Sequence, residues 1–377
     1  MKYQKPVWVI ALLVLLVNLQ SVKAQEKQSL FIDTLDNAFD VSHFLLDLHG
    51  LLPVVSPITE PAVGYGATVA LMYFIPKKDK KARFQMPDIV TAMGGLTQNN
   101  TWFAGGGYIG FWKDDRVRYR AMAGYADVNL KYYGTGNSFL GENPASFSIN
   151  SYVILQQVIA RLGESNFFIG GKYLFMKTNV SAFEDSKLPF VRPLDFDLTS
   201  SGVSFITEYE KYDNVLSPSE GLRVHLRYHQ NIELIGSDRN YGRLTFFSLF
   251  YIPVTDRWVP GFRFESLLTT GDPPFYAKPF VGLRGVPAMR YQGELTVLAE
   301  TEHSFSLTNR WSLIGFAGVG TAYDNLTDMN HGDIAWNAGG GFRYLMARLL
   351  GIKMGVDVAR GPEDWAFYVV FGSSWMR

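Results

Sequence analysis

The stretch VGLRGVPAMRYQGE, from Val281 to Glu294, holds Arg284 between two glycines inside a turn-rich connection. An arginine presents a planar fork of donors that fits a carboxylate with two parallel hydrogen bonds. The next segment, GELTVLAETEHSF, alternates so that its apolar residues point one way and Glu300 and Glu302 the other. Glu300 and Glu302 therefore share one face of the strand that follows the arginine. The alternative to a contact of the arginine with a carboxylate is an ordinary exposed loop with a solvated arginine.

Two further segments, RVRYRA and GLRVHLRYHQ, alternate strictly between apolar and basic side chains. A basic face of this kind attracts anions or acidic head groups. His225 and His229 lie on it, but a metal site there would have to overcome the local positive charge, so we expect no metal. The residues predicted to form the basic face are Arg116, Arg118, Arg120, Arg223 and Arg227, with Arg243, Arg263 and Arg343 also predicted to point inward.

The bulk composition excludes several functions. With no cysteine in the chain, disulfides and thiolate metal sites are excluded. The 35 basic residues equal the 35 acidic ones, which leaves no overall field for nucleic acid. We find no Gly-x-Ser-x-Gly elbow and no nucleophile and base arrangement, so we expect neither an enzyme nor a cofactor.

Alternating, strand-like segments of about ten residues recur through the chain, and this length suits tilted strands that cross a bilayer. Long connections alternate with tight turns, and aromatic residues crowd the strand ends. Only helices and closed barrels satisfy every backbone group in lipid, so we predict an all-β, transmembrane antiparallel barrel whose last strand pairs with its first. A secreted β-sandwich is the alternative. The sixteen predicted strands lie at about 50–58, 62–74, 86–96, 100–112, 115–126, 149–160, 165–179, 198–211, 218–231, 239–252, 256–269, 293–305, 309–322, 334–347, 350–359 and 363–375.

The start of the chain has the order of a secretory signal peptide: lysines, the apolar run VWVIALLVLLV, and the small-residue site VKA. The sequence thus divides into a signal peptide at 1–24, a periplasmic linker or short amphipathic helix at 25–49, and the barrel at 50–377. Asp33, Asp36 and Asp40 of the linker lack the spacing and the glycine of a calcium loop, and we expect them to be solvated.

Four stretches together resemble the BamA/TamA surface-antigen family of outer-membrane barrels. Leu283, Arg284 and Gly285 match the motif at the tip of that family's sixth outer loop, although valine follows where the family usually has an aromatic. DNVLSPSEG is similar to its turn between the eighth and ninth strands, and NRWSLIGFAGVG to its thirteenth strand. FYVVFGSSW resembles its closing strand, with Trp375 as the barrel closure aromatic.

The resemblance implies that the loop folds back into the lumen and that Arg284 pairs with acidic residues on the next two strands. On this basis we predict Glu302 as the partner of Arg284. The family usually has an aspartate on the second of these strands, where this chain has Gly318. We therefore expect one anchor to be missing and the loop to be held less firmly, or by Glu300 instead.

The resemblance also implies a protein of the outer membrane of a Gram-negative bacterium that acts in membrane assembly or in translocation of protein or lipid at the seam between the first and last strands. Family members with such roles carry periplasmic POTRA domains, for which the 25–49 segment leaves no room, so we expect a form without them. Expected partners are outer-membrane lipids, with nascent outer-membrane proteins or a periplasmic partner as further candidates. A monomer and a barrel dimer both stay open, and the alternative function is a passive pore for small anionic solutes.

Overall fold

The computed structural model describes residues 31–46, 50–75, 77, 87–133, 145–182, 194–326 and 332–375. Sixteen antiparallel strands form one sheet in which each strand pairs with its neighbours in the sequence. A short helix, α1 (Ser42–Leu46), precedes them. Within these ranges no helix has the length and apolar character needed to cross a membrane. The strands are β1 (Gly50–Ile58), β2 (Gly66–Ile75), β3 (Asp88–Thr97), β4 (Trp102–Trp112), β5 (Val117–Tyr132), β6 (Ala145–Arg161), β7 (Phe167–Ala182), β8 (Leu194–Tyr212), β9 (Gly221–Asn231), β10 (Tyr241–Tyr251), β11 (Trp258–Gly271), β12 (Leu295–Ser306), β13 (Trp311–Tyr323), β14 (Asp333–Ala347), β15 (Ile352–Arg360) and β16 (Trp365–Phe371).

The sheet carries apolar side chains outward and polar ones inward. On the outer face Val69 and Tyr73 of β2 are each 49% exposed, whereas Glu300 of β12 and Asp357 of β15 are buried on the inner face. A water-soluble protein has the reverse distribution, and this alternation is typical of a membrane barrel. The prediction of an all-β barrel with sixteen strands is confirmed. It followed from the two-residue period of the sequence, which assigns successive side chains to opposite faces of a strand.

The connections give the barrel two ends. The loop end carries the connections that follow odd-numbered strands, including residues 272–294 between β11 and β12, which we call the plug loop. The turn end carries the connections that follow even-numbered strands, such as 307–310 between β12 and β13 and 348–351 between β14 and β15. The chain enters β1 from the turn end.

The two edge strands of the sheet are β1 and β16, and we call the boundary between them the seam. In the described residues β1 is hydrogen-bonded to β2 alone and β16 to β15 alone. Tyr65 and Phe367 stack across the seam at the loop end, with ring centroids 5.4 Å apart. The expectation that the last strand pairs with the first is therefore wrong for the described residues. β1 contains Pro53 and Pro57, neither of which can donate a ladder hydrogen bond.

Candidate functional site in the barrel lumen

The plug loop enters the barrel and packs on two separate walls. Val281 of the loop is buried against Leu298 of β12. Farther along the loop, Met289 is buried with Phe147 of β6 and Val180 of β7. The loop thus crosses the lumen and is anchored by apolar contacts on both sides, which places its Arg284 motif inside the barrel.

Arg284 binds three carboxylates. Its Nη1 donates to Oε2 of Glu302 and to Oδ2 of Asp357, both at 2.8 Å. Its Nε and Nη2 donate to Oε1 of Glu300 at 3.1 and 3.0 Å. The guanidinium also stacks on Phe316, 3.5 Å from the ring centroid. The loop tip is therefore tied to β12 and β15 by one side chain, and both predicted partners, Glu302 and Glu300, contact it.

The carboxylates around Arg284 have other donors as well. Glu300 accepts hydrogen bonds from Arg263 at 3.3 Å, Asn337 at 3.0 Å and the indole of Trp375 at 2.5 Å. Asp357 accepts two from Arg343, at 2.5 and 2.9 Å. The side chains of Glu300 and Asp357 are both 0% exposed. Buried charged groups need such hydrogen-bond partners, because burying a charge without a partner costs several kcal/mol of stability.

Gly318 has no room for the aspartate that the resemblance implied there. A Cβ at Gly318 would lie 2.7 Å from Oδ1 of Asn337 and 3.0 Å from Cδ2 of Leu283. The further anchor comes instead from Asp357 on β15, so the expectation of a missing anchor is corrected. The alternation in GIKMGVDVAR placed Asp357 on the inner face, but nothing in the sequence placed β15 beside the loop tip.

Gly285 allows the loop backbone to lie close to the barrel wall. Its φ of +82° is rarely adopted by residues with a side chain, and a Cβ there would lie 3.0 Å from the backbone nitrogen of Gly361. Its N–H donates to the hydroxyl of Tyr368 on β16 at 2.8 Å. Leu283 is buried beside it, so all three motif residues have contacts within the barrel.

The charge of Arg284 is strongly stabilised. Burial by itself would lower the pKa of Arg284, but the charges of Glu302, Glu300 and Asp357 outweigh burial and raise that pKa above its usual range. Arg284 therefore keeps its positive charge in the site.

Trp375 does not extend the closing strand. β16 ends at Phe371, and the chain then turns into the lumen, where the side chain of Trp375 is 1% exposed and packs with Leu249 and Tyr251. The prediction of a closing strand that reaches residue 375 is corrected. The indole N–H explains this position, because it binds the buried carboxylate of Glu300.

Glutamates neutralise part of the positive charge of the predicted basic face. Arg118 donates to Glu210 at 2.7 Å, and Arg223 donates to Glu208 at 2.9 Å. The sequence-based interpretation missed both glutamates. Arg227 has no such partner among the described residues. The described residues also contain no cluster of three or more histidine, aspartate or glutamate side chains that could hold a metal ion.

The other two predicted residues of that face are exposed. Arg120 follows Arg118 on the same face of β5. Arg116 lies outside β5, in the turn at 113–116, and pairs with the exposed Glu164 of a neighbouring turn. Its predicted place on the inner wall is corrected, since the strand begins one residue later.

The N-terminal segment 31–46 docks on the turn end of the barrel through Arg310. This guanidinium donates to Asp33 at 2.5 Å, Asp36 at 2.6 Å and Asp40 at 2.5 Å. Asp33 and Asp40 are each 4% exposed, so the expectation of solvated aspartates is wrong for these two, whereas Asp36 is exposed. Hydrogen bonds to Arg348 lower the pKa of Asp33, and those to Arg310 lower the pKa of Asp36. The spacing of the three aspartates was a signal for a shared cation.

This docking leaves little helix in the segment. The N–H of Val41 donates to the carbonyl of Met346 at 2.7 Å, and the hydroxyl of Tyr344 donates to the carbonyl of Phe39 at 2.7 Å. Only α1, five residues long, is helical. The predicted signal peptide at 1–24 lies outside the described residues.

Comparison with known proteins identifies the fold. No protein-family model and no curated protein sequence matches the chain. BamA from Haemophilus ducreyi lacking POTRA domains 1-3 superposes with a TM-score of 0.60 at 13% identity, over 86% of this chain and 70% of that chain. CdiB from Escherichia coli superposes with a TM-score of 0.58 at 11% identity, over 84% of this chain and 61% of that chain. CdiB from Acinetobacter baumannii superposes with a TM-score of 0.55 at 10% identity, over 85% of this chain and 59% of that chain.

This chain therefore spans about three fifths of the length of each CdiB chain. At such low identities the likeness concerns the fold. The antiparallel barrel described above, with its plug loop in the lumen, has the barrel fold of BamA and CdiB.

Proposed function

We propose that the protein acts in outer-membrane assembly or in translocation, and that it passes polypeptide or lipid sideways through the seam between β1 and β16. On this proposal it resides in the outer membrane of a Gram-negative bacterium. Its partners would be membrane lipids together with nascent outer-membrane proteins or a periplasmic protein.

The proposal rests on the contrast between a lumen that the plug loop occupies and a seam that has no hydrogen-bonded ladder in the described residues. Axial passage would require the plug loop to leave its site, and breaking a buried ion pair costs about 3–5 kcal/mol. In the described residues the seam has no ladder to break, whereas β1 and β2 are paired at nine positions. Since each net hydrogen bond contributes about 0.5–1.5 kcal/mol, opening the seam costs less than separating any other strand pair. The sideways route is thus the easier one.

A cross-link across the seam tests the proposal. The chain has no cysteine, so Tyr65→Cys with Phe367→Cys introduces a unique pair that a short, reducible thiol cross-linker can join. In proteoliposomes, the protein should accelerate the folding of an unfolded outer-membrane barrel client. Cross-linking should abolish the acceleration, and reduction should restore it.

The matched control joins two strands that are already paired. Leu71→Cys with Ala92→Cys, opposite each other on β2 and β3, should leave the acceleration unchanged when cross-linked. Acceleration that persists with a closed seam, or no acceleration by the uncross-linked protein, contradicts the proposal.

The passive pore for small anions makes a different prediction, which planar-bilayer conductance measures. The position of the plug loop in the lumen supports a blocked channel, so the intact protein should show little steady current. Current should appear when Arg284 is replaced by alanine. A steady anion-selective current that Arg284→Ala leaves unchanged would favour the pore.

A further inference from the structure

On the inner wall between β5 and β10, four cations have no carboxylate within 4.0 Å in the described part of the chain. This group contrasts with Arg118 and Arg223 on the same wall, which bind Glu210 and Glu208. We call the group the cation row. It consists of Arg120 on β5, Lys172 on β7, Arg227 on β9 and Arg243 on β10.

The strand register places Arg120, Lys172 and Arg243 on one line across the wall, and Arg227 lies two residues from that line on β9. Lys172 lies opposite Ser204, Ser204 opposite His229, and His229 opposite Arg243. On the other side Lys172 lies opposite Gln157, which in turn lies opposite Arg120. Neighbouring strands are about 4.8 Å apart, so long side chains from alternate strands converge over the small Ser204.

The guanidinium groups of the row keep unused donors. Arg227 gives one N–H to the hydroxyl of Thr245 at 3.3 Å, while its Nε is buried without a partner. Arg243 gives one N–H to the hydroxyl of Thr269, also at 3.3 Å. A guanidinium has five N–H donors. Apart from the buried Nε of Arg227, the remaining donors of these two side chains have no protein partner among the described residues.

The charges of Lys172, Arg227 and Arg243 repel one another across a partly buried wall. Lys172, Arg227 and Arg243 all act electrostatically on His229, which is buried between them and binds Ser204 at 2.9 Å. Like charges at such a place destabilise the barrel unless an anion lies between them. An anion with several oxygen acceptors and more than one negative charge would best satisfy two guanidinium forks and an ammonium together.

We propose that the cation row is a binding site for a phosphoryl group. A free phosphate or pyrophosphate and the head group of an anionic phospholipid share this chemistry. The site does not rest on the proposed function, because it involves neither the seam nor the Arg284 contacts.

Binding is tested with pyrophosphate and with lipid on the full chain in a zwitterionic detergent. Pyrophosphate at constant ionic strength should raise the thermal midpoint, and native mass spectrometry should detect retained phosphatidylglycerol after transfer from nanodiscs. The combined Arg227→Gln and Arg243→Gln substitutions should weaken binding at least tenfold and remove the shift. A response to pyrophosphate alone identifies a free phosphate ligand, and retention of lipid alone identifies a head group.

The control is Lys177→Gln on the outer face of β7, which removes one positive charge outside the lumen and should leave binding unchanged. Heat-modifiable mobility on gels verifies that each variant is folded. Because the row is self-repelling, the double variant should be at least as stable as the original protein without ligand. No response to either ligand, equal responses in both proteins, or a less stable ligand-free variant overturns the proposal.

Discussion

Replacing Arg284 by alanine should free the tip of the plug loop at a cost of about 3 kcal/mol. The change removes four hydrogen bonds to three carboxylates. Breaking a buried ion pair costs about 3–5 kcal/mol, and the lower end applies here because the remaining charges keep partners. Glu300 retains Arg263, and Asp357 retains Arg343. A change of about 3 kcal/mol shifts the opening equilibrium roughly a hundredfold.

Limited trypsin digestion measures this opening. Arg290 lies in the plug loop and pairs with Glu363 at 3.0 Å, so cleavage after it requires the loop to leave the wall. When opening and closing are fast, the cleavage rate follows the open population. We expect cleavage roughly a hundredfold faster in Arg284→Ala. An unchanged rate would refute the view that Arg284 holds the loop.

A control and a double-mutant cycle separate this contact from general destabilisation. Arg239→Ala removes an exposed arginine that pairs with the exposed Asp272 at 2.7 Å, which should cost no more than about 1 kcal/mol. Glu302→Ala should act in the same direction as Arg284→Ala but with a smaller effect. The two should couple by about 0.5–3 kcal/mol, whereas additive effects would exclude a direct interaction.

Three further changes test the docking of the N-terminal segment and the backbone at the loop tip. Arg310→Ala should detach residues 31–46, which a spin label at Leu35→Cys (75% exposed in the native protein) reports as faster motion; unchanged motion would count against the docking. Because Arg348 and Arg310 lower the pKa values of Asp33 and Asp36, docking should be complete above about pH 3.9 and lost only below it. The same label tests this at pH 7, 5 and 3, and release at pH 5 would contradict it. Gly285→Ala places a Cβ at a φ of +82°, should cost about 1–2 kcal/mol, and should speed cleavage after Arg290.

The sequence alone predicted the barrel and the inner position of the loop arginine's partners. Alternation is a local property, so the face of Glu300 and Glu302 followed from their neighbours in β12. The strand bounds agree with the prediction within a few residues for most strands, because turn residues interrupt the alternation there. The largest difference is in β5, which continues to Tyr132 although the predicted strand ends at 126. At the C terminus the predicted strand reaches 375, whereas β16 ends at Phe371.

Only the tertiary structure decided which distant residues meet. Asp357 lies 73 residues from Arg284, and Asp33 lies 277 residues from Arg310, yet each pair is in direct contact. The period of a strand determines the face of a side chain but not its neighbours across a lumen, which depend on strand number, stagger and curvature. The inward turn of Trp375 likewise depends on its contacts with Leu249, Tyr251 and Glu300, which are distant in the sequence and which no local pattern encodes.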